Sequence, residues 1–280
     1  MKLGITHPGQ AHADDVLSAA VLIASGHVDQ IERRDPLTTE LADETVYVFD
    51  IGGEHDNSLR NFDHHQFERD AAPCCAFTLI LKHLGYYDDW SLMFPWVRGI
   101  EEMDSKRPSG VIRRINSEND CDLSFETLAP FTSSPFAGFV LDMFAAQTSH
   151  LPGEPCFELL RKLGMNLIDK CALIRERWAH FDATTTVEWF NDLRVAIFDT
   201  TGPLGIETWL RRSDNQNVAV TISNDDRGDG LSVFRRNDHP GVDLSKCEHL
   251  DNVTFAHKNG FAAKLSDDQW REPLEQSLTS

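Results

Sequence analysis

A chain of 280 residues, 41% hydrophobic and 25% charged, has core enough for one large domain or two ordinary ones. Its formal net charge of −19 opposes broad attraction to nucleic-acid phosphates or to an anionic membrane surface. No apolar run approaches the roughly 20 residues that cross a bilayer, and the start, Met-Lys-Leu-Gly-Ile-Thr-His, lacks a secretory apolar region, so a cytoplasmic location without membrane contact is expected.

Residues 2–6 read as a short strand and 14–25 as a helix stopped by Gly26. Residues 28–34 alternate like a strand, and 46–50 form a buried one. This order predicts an α/β fold with a mainly parallel N-terminal sheet flanked by helices. Helices are expected over about 74–86, 89–104, 136–149 and 154–183, with turns at Gly85, Pro130, Pro135 and Pro152-Gly153. After Thr184-Thr185-Thr186 the texture changes: strands are expected over 194–199, 217–223, 230–236 and 252–257, and a closing helix over 266–278. The boundary falls near 187, leaving a catalytic domain of residues 1–186 and a smaller C-terminal α/β domain of 187–280. The apolar face of 136–183 suits a homo-oligomer contact and ordinary core packing equally. The acidic turn 224–230 lacks the spacing and terminal Glu of a calcium loop. The six cysteines make no Cys-x-x-Cys pair, so reduced, structural thiols are expected and sulfur ligation is set aside.

Clusters of metal-competent side chains crowd the first quarter of the chain. His7, His12 and Asp14 sit on the turn from first strand to first helix, where Gly9 permits a tight bend. Taken singly, His7 is a turn residue and Asp14 a helix cap. Asp50 closes the apolar run Val46-Tyr-Val-Phe, and a carboxylate there costs several kcal/mol unless paired or bound to a cation. A position bridging two metals suits it best. Asp63-His64-His65 follows a loop of turn formers. Adjacent histidines divide the work: His64 is assigned to metal, and His65 to substrate phosphate or to proton donation. Asp63 is placed to orient an imidazole through its other ring nitrogen. A fourth element is supplied by Glu101-Glu102-Met-Asp104, with Asp104 expected at a helix end before a loop starting Ser105-Lys-Arg-Pro. Arg235-Arg236, at a predicted strand end, suits phosphate contact and a solvated strand end equally.

In order and spacing, His-x4-His-x-Asp, strand-Asp-x-Gly-Gly, Asp-His-His and a later Asp resemble the DHH phosphoesterase superfamily, and within it the Myg-type branch. The matching pieces are Thr6-His7-Pro-Gly-Gln-Ala-His12-Ala-Asp14-Asp15, Phe49-Asp50-Ile-Gly52-Gly53-Glu54, and Phe62-Asp63-His64-His65-Gln66. The resemblance implies two domains, a dimanganese site in the first, and phosphoester hydrolysis, with 3′–5′ exonuclease action on RNA associated with members. Carried over, it makes His7, His12, Asp14, Asp50, His64 and Asp104 the ligands of two divalent cations and His65 a phosphate contact. Mixed imidazole and carboxylate donors suit Mn²⁺, with Co²⁺, Fe²⁺ or Zn²⁺ also compatible. Phe255-Ala-His257-Lys258-Asn259-Gly260-Phe261 resembles the family's late strand-loop over the substrate, which makes His257, Lys258, Asn259 and Gly260 candidate contacts. Where relatives continue with paired glycines and a histidine, this chain has Ala262-Ala263-Lys264, a departure that bears on the substrate and not on the metals.

The leading expectation is a metal-dependent phosphoesterase acting on RNA or short oligonucleotides, with two divalent cations, Asp50 and a hydroxide supplying the nucleophile. The acidic charge also suits a small phosphorylated metabolite or nucleotide. A non-catalytic metal-binding module is the expectation from another class.

Overall fold

The computed structural model describes residues 2–68, 70–119, 135–212 and 215–279. The expected turn at Pro130 and Cys121 lie outside them. The chain parts into two compact units, residues 1–171 and 172–280. That division falls inside a long helix, where no turn former marks it, and upstream of Thr184-Thr185-Thr186.

The first unit is built on six strands: β1 Leu3–Thr6, β2 Gln30–Arg33, β3 Tyr47–Phe49, β4 His55–Asp56, β5 Asn61–Phe62 and β6 Ser149–His150, in the order β4-β5-β3-β1-β2-β6. The four central strands run parallel, and only the edges β4 and β6 are antiparallel. Parallel strands are covered on both faces, so β3 reads as an unbroken buried run rather than an alternating one. Helices α1 Ala13–Ala24 and α3 Ala76–His83 supply much of the cover, with Val16, Ala20, Ile23 and Ile80 in one cluster with Tyr47, Phe49 and Phe62. Further helices are α2 Thr38–Leu41, α4 Tyr87–Met93, α5 Trp96–Asn119, α6 Pro135–Ala145 and α7 Pro155–Thr184, the last running on into the second unit.

Two expectations are corrected here. Asp104 does not stand at a helix end. α5 continues through 105–110 to Asn119, and the Ser105 hydroxyl ties it to the chain before α3 by donating to the carbonyl of Cys74 at 2.6 Å. The helix expected over 136–149 stops at Ala145, because Ser149 and His150 leave it to pair with β2.

The second unit carries β7 Thr186–Phe190, β8 Leu193–Thr201, β9 Val220–Asn224, β10 Leu231–Arg235, β11 Val253–Ala256 and β12 Ala262–Leu265, in the order β11-β12-β10-β9-β8-β7. Only β8 and β9 are parallel, joined across helix α8 Ile206–Arg212. The other pairings are antiparallel, and the closing helix α9 is shorter than expected, Arg271–Gln276. One face of this sheet packs Val195, Val220, Ile222, Val233 and Leu265 into a separate core with Trp270 and Leu274. Two six-stranded sheets flanked by helices make the α/β fold expected. Cys74, Cys75, Cys156 and Cys247 are free thiols. No helix among the described residues is long and apolar enough to cross a membrane.

Candidate metal centre

Three neighbouring strands open on one edge of the first sheet. β5, β3 and β1 lie side by side and parallel, and their carboxyl ends lead directly into Asp63, Asp50 and His7. Adjacent strands stand about 4.8 Å apart, so residues at matched ends reach a common point. Asp50 adopts a left-handed backbone, φ 57°, with its N–H donating to the Phe62 carbonyl at 3.2 Å. For a residue with a Cβ that conformation costs on the order of 1 kcal/mol, and such strain collects at working sites. His12 at the N-cap of α1, Asp14 in that helix's first turn and Asp104 on α5 complete the set.

The structure brings together every N-terminal residue singled out from the sequence as a ligand. Ligand atoms of His7, His12 and Asp50 lie within 4.8 Å of one another, as do those of Asp50, His64 and His65, and those of His12, Asp14 and Asp104. Asp50 belongs to two of these groups, the arrangement a bridging carboxylate needs. His64 Nε2 stands 2.8 Å from Asp104 Oδ2 and 3.3 Å from Asp50 Oδ1, and His7 Nε2 is 3.3 Å from Asp50 Oδ2.

These ion pairs form without aligned hydrogen bonds. His7 Nε2, both oxygens of Asp14, Asp50 Oδ1, His64 Nε2 and Asp104 Oδ2 are buried with no hydrogen-bond partner. The nitrogens and oxygens approach each other without the alignment a hydrogen bond requires. Buried polar atoms left unmatched are costly, and a cluster aimed at shared space is what ligands around a cation look like. The donor set of imidazole nitrogens and carboxylate oxygens fits a first-row divalent ion.

The electrostatics agree. Burial pushes the Asp14 carboxyl well above the usual carboxylate range, and Asp50, Asp104 and Asp15 push it further. Burial works against a charged His64, yet Asp104 and Asp50 outweigh it and raise the imidazole to about 10. His7 rises to about 10 through contact with Asp15 and then Asp50. Burial would raise Asp50, but His64 and His7 prevail and hold it below its ordinary value. Without a cation the site therefore holds protons that a bound cation displaces.

Asp63 has a different part. Its Oδ1 accepts from the N–H groups of His64 (2.7 Å) and His65 (3.1 Å) and lies 2.7 Å from His65 Nδ1. Its Oδ2 accepts from the Gly53 N–H at 2.6 Å. With its lone pairs used, it is a scaffold carboxylate that leaves the exposed Nε2 of His65 facing outward. The contact with Asp63 raises the His65 imidazole above its ordinary value.

Two residues escaped the sequence reading. Asp15, fully buried, accepts from the His12 N–H at 3.1 Å and stands 2.9 Å from His7 Nε2, gripping both ends of the His7–His12 turn. Arg33, 2% exposed on β2, donates to the Gly9 carbonyl at the middle of that turn at 3.0 Å and lies 3.9 Å from Asp15. The available signals were the doubled Asp14-Asp15 and an arginine on the inward side of an alternating strand.

The C-terminal candidates belong to the second unit, and most are occupied there. Arg236 is neither a solvated strand end nor free for phosphate: it is buried, donating to Glu207 at 2.8 Å and to the carbonyls of Gln216 and Val218. Arg235 donates to the Val242 carbonyl at 3.0 Å and to Asp238 at 2.9 Å. His257 Nδ1 accepts from the Asn259 N–H at 3.1 Å, while Lys258 and Asn259 are exposed. Gly260, φ 68°, is packed so tightly that a Cβ would come within 2.1 Å of Asp243 Oδ1, so this glycine serves the turn.

Comparison with known proteins bears on the segment that holds most of the site. Residues 4–86 match the family model MYG1_exonuc, described as Uncharacterised protein family (UPF0160). That segment is MYG1-like. The MYG1 protein of Chlamydia pneumoniae is 36% identical over 110 residues, 36% of this chain and 37% of that protein. The MYG1 protein of Chlamydia trachomatis is 34% identical over 110 residues, with the same shares. The chain thus covers little more than a third of the length of these MYG1 relatives. An uncharacterized protein from Helicobacter pylori G27, known from a crystal structure, aligns over 96% of this chain and 94% of its own at 12% identity; with a TM-score of 0.26 the likeness carries no argument.

Proposed function

We propose that the chain is a divalent-metal-dependent phosphoesterase that hydrolyses phosphodiester bonds of RNA or short oligonucleotides. The observation that carries this reading is the set of buried ligand atoms lacking an aligned hydrogen bond, on His7, Asp50 and His64 just past the carboxyl ends of three adjacent strands and on Asp14 and Asp104 in helices α1 and α5. The MYG1-like character of residues 4–86 supports it, and the word exonuclease in that family's label supports the substrate class.

His7, His12, Asp14, Asp50, His64 and Asp104 would hold the cations between them, with His7 and His12 grouped with Asp50, His64 also with Asp50, and Asp14 and Asp104 with His12; Mn²⁺ is the best match to the donors. When bound, such ions supply Lewis acidity and lower the pKa of a nearby water toward neutrality. The protein's own contribution is positional. Asp50, held in its strained turn, is shared by two of the three ligand groups. His65, fixed by Asp63 and with its side chain 65% exposed, presents Nε2 outward to contact phosphate or to protonate a leaving oxygen. Asp14, His7 and His64 hold protons in the unloaded site, and their displacement ties metal loading to pH.

The test is metal analysis of the purified protein with a screen of phosphomonoesters, cyclic nucleotides and short RNAs. The expected result is near two equivalents of Mn²⁺ and turnover on an RNA end. Stoichiometric metal without turnover on any phosphoester would demote the chain to a metal-binding module. The net charge of −19 and the internal engagement of Arg236 favour a second reading, a small nucleotide or phosphorylated metabolite. A small substrate predicts turnover nearly indifferent to salt, and an RNA several nucleotides long predicts a clear salt slope.

A further inference from the structure

At the end of the first sheet away from the metal centre, the chain gathers cations. β1, β2, β3 and β5 are parallel, so their amino ends lie together, and Lys2, His27, Tyr47 and Arg60 stand at those ends or shortly before them. The buried Tyr47 is the hub. Its hydroxyl lies 2.9 Å from His27 Nδ1, and the Arg60 guanidinium lies over its ring at 5.0 Å. His83, the last residue of α3, stands edge-on to Tyr47 at 6.3 Å and to Phe62 at 5.0 Å. Three basic side chains thus surround one phenol.

Acids outnumber bases 45 to 26 in this chain, so carboxylate partners were available. Yet among the described residues none forms an ion pair with His27, Arg60 or His83, and none of these three side chains bonds a helix-end carbonyl. The charged groups around them are engaged elsewhere. Lys2 Nζ donates to the Gly26 carbonyl at 2.8 Å, and Asp29 accepts the Lys2 backbone N–H at 2.9 Å. Lys82 turns to Glu101 at 3.7 Å, and His55 Nδ1 lies 3.2 Å from the Asn61 carbonyl. The exposed Asp43 keeps Oδ1 for the N–H and hydroxyl of Thr45, at 2.9 and 2.7 Å. Like charges are left facing one another. Burial, then His83, Lys2 and Arg60, hold the His27 imidazole below its ordinary range, and burial, then Arg60 and His55, do the same to His83.

We infer that this cluster is a second binding site, for a tetrahedral oxyanion such as a phosphate group, held by the Arg60 guanidinium and the imidazoles of His27 and His83. The guanidinium carries its N–H donors in a fixed fork, and stacking on Tyr47 leaves the edge of that fork open. His27 spends Nδ1 on the Tyr47 hydroxyl and keeps Nε2. A planar carboxylate would be satisfied by the fork alone, whereas a tetrahedral anion has oxygens left for the two imidazoles. A metal ion does not suit the cluster: it contains no carboxylate, and its imidazoles join none of the groups able to hold a cation among the described residues. The site lies outside the metal centre and stands whether or not the chain is a phosphoesterase.

The test is calorimetric titration of the full chain, freed of metal by chelator, with sulfate, whose charge is constant between pH 6 and 8. Saturable binding is expected, about tenfold tighter at pH 6 than at pH 8, because the anion favours protonated imidazoles. Arg60→Gln and His83→Gln are each expected to weaken it by about tenfold, with Arg60→Lys restoring only part. Both variants should keep the Mn²⁺ stoichiometry of wild type. A 5′-mononucleotide and its nucleoside identify the carrier of the anion. Tighter binding of the mononucleotide, with the nucleoside silent, assigns a nucleotide phosphate; affinity equal to that of sulfate assigns a free anion. Absence of saturable binding at both pH values overturns the inference, as does wild-type affinity in Arg60→Gln and His83→Gln. Binding that survives those two changes and disappears in His64→Ala overturns it as well, because the anion then sits at the metal centre.

Discussion

Asp63 Oδ1 lies 2.7 Å from His65 Nδ1 while also accepting the N–H groups of His64 and His65, so one carboxylate sets the direction of both adjacent imidazoles. The chain can therefore place a buried imidazole toward Asp50 and Asp104 and an exposed one outward from consecutive positions.

Asp63→Asn tests this directly. The amide carries two donors, and the Gly53 N–H on one side faces the N–H groups of His64 and His65 on the other. Whichever way the amide turns, a donor meets a donor. Turnover is expected to fall by about 10- to 100-fold, the usual effect of removing a group that orients a ligand. His65 loses the contact that raises its pKa, so any limb of the pH–rate profile that follows this imidazole should move to lower pH. An unchanged profile with unchanged turnover would show that Asp63 orients nothing that matters.

Metal-free protein is expected to lose stability as pH rises. His7 and His64 are both raised to about 10 in the fold, against 6.5 for an ordinary imidazole. A raised basic group stabilises fully below its unfolded pKa, and that contribution disappears as pH climbs from about 6.5 through 10. Asp14, raised by burial, acts in the same direction from the acid side. Thermal melts from pH 6 to 10 in chelator should show a falling Tm. Saturating Mn²⁺ should flatten or reverse the trend, because the cation replaces the protons and binds more tightly as they leave. A chelated protein whose Tm rises over that window would contradict the placement of His7 and His64 beside these carboxylates.

How much of this was legible in the sequence differs by element. The strand ends carrying His7, Asp50 and Asp63 could be read because strand, turn and ligand are contiguous, and parallel strands bring their carboxyl ends to one edge. Asp104 was found as a residue but misplaced in its element, because Pro108 and Gly110 look like a loop while the tie from Ser105 to Cys74 belongs to tertiary structure. Asp15 and Arg33 were invisible because their roles arise only when β2 lies beside β1.

Asp50→Asn separates metal binding from folding. Asparagine tolerates the left-handed backbone at φ 57°, so the turn should survive. His64 and His7 favour the ionised Asp50, so the chelated variant is expected to stay folded but to melt somewhat lower than wild type. Turnover should nonetheless fall by more than about a hundredfold, beyond what residues behind the ligands usually produce. Calorimetry should show weakened binding at more than one cation position, because Asp50 belongs to two of the three ligand groups. Loss at one position only would deny it the bridging role.

Arg33 and Asp15 should behave as a coupled pair. Arg33→Met leaves Asp15 buried with His7 as its remaining cationic neighbour and releases the Gly9 carbonyl, a change expected to cost about 3–5 kcal/mol. Asp15→Asn alone loosens both ends of the His7–His12 turn and should weaken metal binding at the position formed by His7, His12 and Asp50 more than at the other. In the double variant the stranded charge is gone, so its stability loss should be smaller than the sum of the single losses by about 1–3 kcal/mol. Denaturant titrations of the four proteins measure that coupling. Strict additivity would mean that Arg33 reaches the turn only through Gly9, and that Asp15 answers to His7 and His12 alone.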